Sequence, residues 1–320
     1  MDRHSPIREG HGRTWAKAIL LGEHSVVYGH PAVAMPLHDL QMRATAAPVT
    51  GPSMLRSLDY SGPMDASGPG FACVVRAFEA ARELSGCLKQ PFEVTTRSDF
   101  PHERGMGSSA AAAGAVIRAV LDACGRAAST DELFALTQMA EQVAHGRPSG
   151  LDAAATCSPC PIRFQGGRMQ PLTQRIQDAR LVIADSGVHG STREAVGGLR
   201  ERYEEDPDGI GPLIAALGGL ARVGIAALDD GDAQALGSAM DRAHEVLAQL
   251  ELSLPVLDRL TAAARDAGAL GAKLTGGGLG GCVIALADGE EAAGRIRGAL
   301  EGAGAPAAWI YQMRTSEVSQ

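Results

Sequence analysis

The sequence predicts an α+β protein of two domains, and three observations carry that prediction. The chain has 320 residues, the size of one large domain or two ordinary ones. Strand-like segments come early in each half, and helical segments interleave with them. No low-complexity linker or short repeat interrupts the chain, and the change from one half to the other falls near residues 170–180. The expected domains are therefore 1–175 and 176–320. Hydrophobic residues make up 45%, ample for a core, but aromatics are only 4% and there are 40 glycines. Such a core is built from small side chains and close backbone contacts.

The elements follow in order. "WAKAILLGEHSVVYGHPAVAMPL" reads as two strands with a turn at Gly22, and "PFEVTTRSDF" as another strand. From Ser108 to Cys124, Val116, Ile117, Val120, Leu121 and Cys124 recur at helical spacing, and Gly125 suits the helix end. A second helix over 131–145 opens with Ser129 and Thr130, carries acids in its first turn and stops at Gly146. Its expected buried stripe is Leu133, Leu136, Met139, Ala140 and Val143. In the second half, "ARLVIADSG" reads as a strand. Helices follow over about 191–204, 211–228, 232–249 and 255–267. Strands "GAKLTGG" and "GCVIALA", a helix near 290–301 and a strand "AAWIYQM" close the chain.

Net charge is −8, which argues against a general nucleic-acid partner but leaves room for a local basic pocket. The six cysteines are scattered and read as small buried hydrophobes of a reducing compartment. Cys157 and Cys160 form a lone C-x-x-C without the two further ligands that a structural zinc requires. The polar first 15 residues lack a targeting pattern, and no apolar run reads as long enough to cross a bilayer. The expectation is a cytoplasmic protein with no membrane partner.

Four stretches carry chemistry. In "PHERGMGSSAAAAGAV", Gly105 and Gly107 leave the backbone open just before a helix, whose N-terminal N–H groups attract anions. Ser108 and Ser109 add hydroxyls for a phosphate oxygen or a metal ion. The stretch reads either as a phosphate cradle or as an ordinary loop with a serine cap. No Walker A sequence, protein-kinase set or dinucleotide fingerprint is present. In "KLTGGGLGGCVIAL", Gly276, Gly277, Gly278, Gly280 and Gly281 exceed the one or two glycines a hairpin needs. They suggest backbone pressed against a ligand or against another domain. In "AEQVAHGRPSGLDAAA", Glu141 and His145 share a helix face, and Asp152 lies near the start of the next helix. Glu141 reads equally as part of a solvated face, and Asp152 as a plain helix-start acid. In "AKAILLGEHSVVYG", Lys17 sits inside an apolar strand, where an ammonium needs a carboxylate or phosphate partner, and Glu23 and His24 follow at a turn.

Together these stretches resemble the family of galactokinase, homoserine kinase, mevalonate kinase and phosphomevalonate kinase, over nearly the whole chain. "KAILLGEHSVVYG" looks like the family's first motif, "ERGMGSSAAAA" its second and "KLTGGGLGGCVIAL" its third. "HGRPSGLD" and "DSGVHGSTREAV" resemble segments of its mevalonate-specific branch. Glu103 and Met106 depart from the usual glycine and leucine, Ala16 from glycine, and Leu279 interrupts a run of small residues.

The resemblance implies a two-domain kinase fold, with an N-terminal ribosomal-protein-S5-domain-2-like part and a C-terminal ferredoxin-like part. It implies ATP and Mg²⁺ as cofactors and mevalonate as the small-molecule substrate. The metal would be held by Ser109 and Glu141. The nucleotide would lie against Gly105, Met106, Gly107, Ser108 and Ser109, with Ser98 nearby and Thr275, Gly276, Gly277 and Gly278 forming the third motif. Asp152 and Lys17 would act on the accepting hydroxyl. His24 and Thr192 would contact the acceptor, with Glu23 and Asp152 in the same pocket. A homodimer is the oligomeric state implied.

Overall fold

Strand β1 (Gly10–Leu21) begins inside the polar N-terminal stretch and continues into the apolar run that follows. Its first half alternates buried and exposed positions, and its last six residues are all buried, as expected of a strand covered on both faces. The computed structural model describes residues 7–58, 60–145 and 148–316. Gly146, expected to stop the second helix, and Arg147 lie outside the described residues, as does the side chain of His145.

The chain divides into two units that are interleaved in sequence. One takes the chain as far as Lys17, Pro36–His102 and Gly107–Ser158. The other takes Ala18–Met35, Glu103–Met106 and everything from Pro159 onward. The segment 159–175, on the N-terminal side of the expected boundary, thus belongs to the second unit.

In the first unit, β2 (Ala32–Pro48), β3 (Met54–Ser57), β4 (Tyr60–Pro63) and β5 (Phe92–Ser98) pair in the order β4-β3-β5-β2, and β1 pairs β2. The β2–β5 pairing is antiparallel, with Ala44 opposite Thr96; β3–β5 is parallel. Between β4 and β5 runs α1 (Ala72–Ser85), which the sequence reading leaves unassigned. It packs on α2 (Ser108–Ala123) and α3 (Thr130–His145). A reciprocal capping box starts α3: Glu132 N donates to Ser129 Oγ at 3.2 Å, and Ser129 N to Glu132 Oε2 at 3.0 Å. A short α4 (Leu151–Cys157) completes the unit.

The buried stripe of α3 differs from the expected one. Met139 and Val143 are exposed, while Thr137 and Glu141 are buried beside Leu133 and Ala140. Apolar periodicity alone misplaces this face because two polar side chains on it find partners inside.

In the second unit, the start of β2 pairs with β6 (Ile162–Gln165), which pairs with β7 (Arg168–Pro171). The main sheet is formed by β8 (Ala179–Asp185), β9 (Gly271–Thr275), β10 (Cys282–Asp288) and β11 (Ala307–Gln312). Its order is β11-β8-β10-β9, antiparallel throughout. Numbered by strand, that is 4-1-3-2, the ferredoxin-like arrangement of two split βαβ halves. Four helices separate β8 from β9: α5 (Thr192–Glu205), α6 (Pro207–Asp230), α7 (Ala233–Gln249) and α8 (Pro255–Asp266). Helix α9 (Gly289–Gly302) joins β10 to β11.

Helix α6 corrects one expectation. It has 24 residues and a stretch of mean hydropathy 1.7, so by length and composition it is long and apolar enough to cross a bilayer. Its buried positions pack within the unit: a Cβ on Gly218 would strike His30, and one on Gly224 would strike Leu21.

Candidate active site

The first unit gathers four of the expected residues. Lys17, on β1, is 1% exposed, and its Nζ lies 3.0 Å from Asp152 Oδ1. The Asp152 side chain is 40% exposed, so the pair has one sealed partner and one open one. Asp152 stands in the first turn of α4, where the helix dipole favours its charge. Ser109, in the first turn of α2, donates to Glu141 Oε1 at 2.6 Å. Glu141 is 4% exposed, so it does not belong to a solvated face. Cys73, on α1, donates its thiol to the same Oε1 at 3.2 Å. Burial, and then the neighbouring Glu141 charge, push the Cys73 thiol pKa up, so the thiol stays protonated.

The loop before α2 is not a serine-capped turn. The N-cap residue is Gly107, at φ 74°, and no side chain caps the helix. A Cβ on Gly107 would sit 3.0 Å from both Lys17 Cγ and Thr156 Cγ2. Only a glycine lets the backbone cross so close to the lysine stem. Ser98 lies in a local turn, its Oγ donating to Phe100 O at 2.6 Å. Cys157 is buried with its Sγ 3.8 Å from the hydroxyls of Thr137 and Thr156.

The second unit holds Glu23, His24, Gly105, Met106, Thr192 and the third motif. Glu23, His24 and Ser25 form a tight γ-turn: Ser25 N donates to Glu23 O at 2.6 Å, with His24 at φ 59°, ψ −47°. This backbone conformation is rare and strained for a side-chain-bearing residue. Two interactions hold it. His24 Nε2 lies 2.8 Å from Gly277 O, and Lys273 Nζ forms an ion pair with Glu23 in which both side chains are fully buried. Burial lowers the His24 pKa to about 4, against the raising effect of the Gly277 carbonyl; Arg202 and Lys273 lower it further. A neutral ring facing a carbonyl carries its proton on Nε2. Gly277 also abuts Thr192, whose Oγ1 would lie 3.1 Å from an added Cβ. His24 and Thr192 therefore meet around one glycine.

The third glycine-rich stretch is pressed against backbone of its own unit, rather than against another domain. A Cβ on Gly276 would come within 3.0 Å of Gly105 Cα, and one on Gly281 within 2.9 Å of Arg104 O. Thr275 Oγ1 accepts from Ile19 N at 2.9 Å. Met106 is buried, 1% exposed, so its side chain faces the interior. Arg104 pairs with Asp185 at 3.0 Å, both nearly buried, and Glu103 with His189 at 3.3 Å. The unusual Glu103 is thus turned toward a histidine at the surface. Sequence reasoning did not single out Lys273, Cys73, Arg104 or Asp185 as site residues.

This combination of glycine loop, buried lysine and carboxylates has named relatives. The family description "GHMP kinases N terminal domain" matches residues 72–158, and "GHMP kinases C terminal" matches 225–305. The mevalonate kinase of Pyrococcus horikoshii is 33% identical over 301 residues, covering 86% of this chain and 88% of its own. The chain belongs to the GHMP kinases.

Solved structures agree with that membership. The mevalonate kinase of methicillin-resistant Staphylococcus aureus is 30% identical with a TM-score of 0.71, over 96% of this chain and 99% of that one. The L. major mevalonate kinase in complex with R-mevalonate is 23% identical. It shares the fold with a TM-score of 0.85, over 98% of this chain and 100% of that one. The two-unit α+β architecture is thus the GHMP kinase fold.

The donors around α2 fit what such a kinase binds. Ser109 and Glu141 offer hard oxygen ligands, which Mg²⁺ prefers. Among the described residues, no cluster of three or more His, Cys, Asp or Glu could hold an ion alone. A cation here would draw its remaining ligands from phosphate oxygens and water.

Proposed function

We propose that this GHMP kinase transfers the terminal phosphoryl group of ATP to the 5-hydroxyl of mevalonate. The observation that carries the chemistry is the Lys17–Asp152 pair, with its carboxylate open to solvent. The choice of acceptor is supported by the mevalonate kinases among the relatives and by the meeting of His24 and Thr192 around Gly277.

Bound Mg·ATP supplies the phosphoryl group and offsets the charge that develops on it. Ser109 and Glu141 would hold the Mg²⁺, and the amides of Gly105 to Ser108 the phosphate oxygens. Asp152 accepts the proton of the attacking hydroxyl, and Lys17 stabilises negative charge on the oxygen as it is deprotonated. His24 and Thr192 orient the acceptor by hydrogen bonds, and Glu23 shapes that pocket through the turn it begins. Under this reading residues 1–175 carry the ATP-binding role, and 176–320 contribute Thr192 and the third motif. The enzyme is taken to be cytoplasmic, and sedimentation decides between a monomer and a homodimer.

The test is ADP release with mevalonate, phosphomevalonate, homoserine and galactose at matched concentration. Mevalonate should be strongly preferred, because a site built on hydrogen bonds rejects acceptors that leave its polar groups unpaired. If homoserine or phosphomevalonate outpaces it, the acceptor assignment falls while the family stands.

A further inference from the structure

A cavity of about 550 Å³ lies in the first unit, away from every residue assigned to catalysis. Its walls include Arg8, Arg13, Trp15, Arg118, Asp122 and Arg126. Four guanidiniums against the carboxylates of Asp122 and of Glu132, which pairs with Arg126, leave two net positive charges, on a chain whose overall charge is −8. Chance does not readily gather basic side chains on an acidic surface, and neighbouring like charges repel unless something offsets them.

The local sequence explains how the arginines meet. In "EGHGRTW", Gly10 and Gly12 let β1 press directly on α2; an added Cβ would lie 2.2 Å from Ala119 O or 1.9 Å from Ala115 O. That contact brings Arg13 of β1 and Arg118 of α2 to one cavity. The acid is already engaged: Asp122 takes Arg8 at 2.7 Å and His11 N at 2.9 Å. Arg126 is tied to Glu132 at 2.7 Å. Arg13 and Arg118, by contrast, make no hydrogen bond or ion pair among the described residues, and Arg118 Nε is buried without a partner. Two guanidiniums with no carboxylate partner can take an oxyanion between them by charge-assisted hydrogen bonds. Trp15 forms a fixed wall, its Nε1 bonded to Ser158 O at 2.9 Å and its ring edge-on to His38 at 4.5 Å. The volume suits a small molecule, and the indole gives it an apolar surface.

We propose that this cavity is a second anion site, which takes a phosphate-bearing small molecule with its phosphate between Arg13 and Arg118. The negative end of α2 and Asp122 oppose an anion, but Arg8 offsets Asp122, and the full charges of Arg13 and Arg118 outweigh the partial charge of the helix end. Arg13, Trp15 and Lys17 alternate along β1, so the pocket and the reactive lysine share one strand.

Trp15 supplies the readout. The chain has two tryptophans, so Trp309→Phe leaves Trp15 as the sole indole. In that variant, inorganic pyrophosphate and hexyl phosphate should each give a saturable change in fluorescence that weakens with added salt. Tighter hexyl phosphate indicates an organic ester as the natural ligand, tighter pyrophosphate a diphosphate. Arg13→Gln and Arg118→Gln should each weaken binding about tenfold or more, the scale of one charge-assisted contact. Turnover without the probe should be unchanged, which shows that both variants are folded. Absence of any saturable response up to about 10 mM would overturn the proposal. A response that survives in both arginine variants would overturn it too, since it would then arise at the catalytic loop.

Discussion

Two lysines lie inside apolar strands of this kinase, and each meets a carboxylate, yet the pairs differ in one respect. Lys17 is sealed but its partner Asp152 is 40% exposed; Lys273 and its partner Glu23 are both fully buried. An open carboxylate can exchange a proton with a ligand. A closed one can only hold its neighbours in place. What Lys273 and Glu23 hold is the strained turn that presents His24. Under the proposed function the same chemical pair is the reactive group in one unit and a clamp in the other, and accessibility separates the roles.

Breaking the closed pair should have the largest effect. Lys273→Met leaves a buried carboxylate without its cation and should cost about 3–5 kcal/mol in urea unfolding. The double variant Glu23→Leu with Lys273→Met should recover much of that loss, yet keep a raised KM for the acceptor because the turn has lost its clamp. A double variant no more stable than the single one would mean that the pair is not a self-contained clamp.

Breaking the open pair should cost activity. Asp152→Asn keeps an oxygen for Lys17 but removes the proton acceptor, and turnover should fall about 10²-fold or more while the protein stays folded. Near-normal turnover in that variant would transfer the proton to another group.

The closed region also predicts a pH effect. The pKa of His24 falls from 6.5 to about 4 on folding, so below pH 6.5 the unfolded chain takes up a proton that the folded chain refuses. Stability should therefore drop as pH falls from about 6.5 to 4, by roughly 3 kcal/mol at the acid end. His24→Asn should flatten that slope; an unchanged slope would assign it to other groups, such as the buried His244, whose pKa is also lowered by burial.

The smallest effect on the fold is expected at Ser109 and Glu141, the pair proposed to hold the metal. Ser109→Ala should raise the Mg²⁺ concentration needed for half-maximal activity and leave stability within about 1 kcal/mol. An unaltered Mg²⁺ dependence would place the cation elsewhere.

Much of this was legible in the sequence because the motifs are local. Lys17 stands out as a charge in an apolar strand, and the same argument applied to "GAKLTGG" points to Lys273. Its distant partner is what cannot be read: Glu23 lies 250 residues away. The sequence leaves a solvated face open as an alternative for Glu141 for a related reason. Its burial depends on Ser109 and Cys73, from two other helices. The β6–β7 hairpin carries a local signal, the Gly166-Gly167 pair, and both glycines take positive φ. Helix α1 is weakly marked, with no capping side chain at its start. The division of the chain into interleaved units follows from pairings between remote segments, which no local pattern records.

That interleaving sets a timetable for synthesis. Ile19 bonds to Thr275, 256 positions further along the chain. At about 5–20 residues per second, a ribosome takes roughly 13–50 s to cover that distance. Through this interval the apolar stretch that becomes the end of β1 waits without its final neighbours, while the first unit has its last residue, Ser158, far earlier. A nascent chain of this kinase therefore carries a sticky segment until Thr275 has been made, and a chaperone that shields short apolar strands would find its target there.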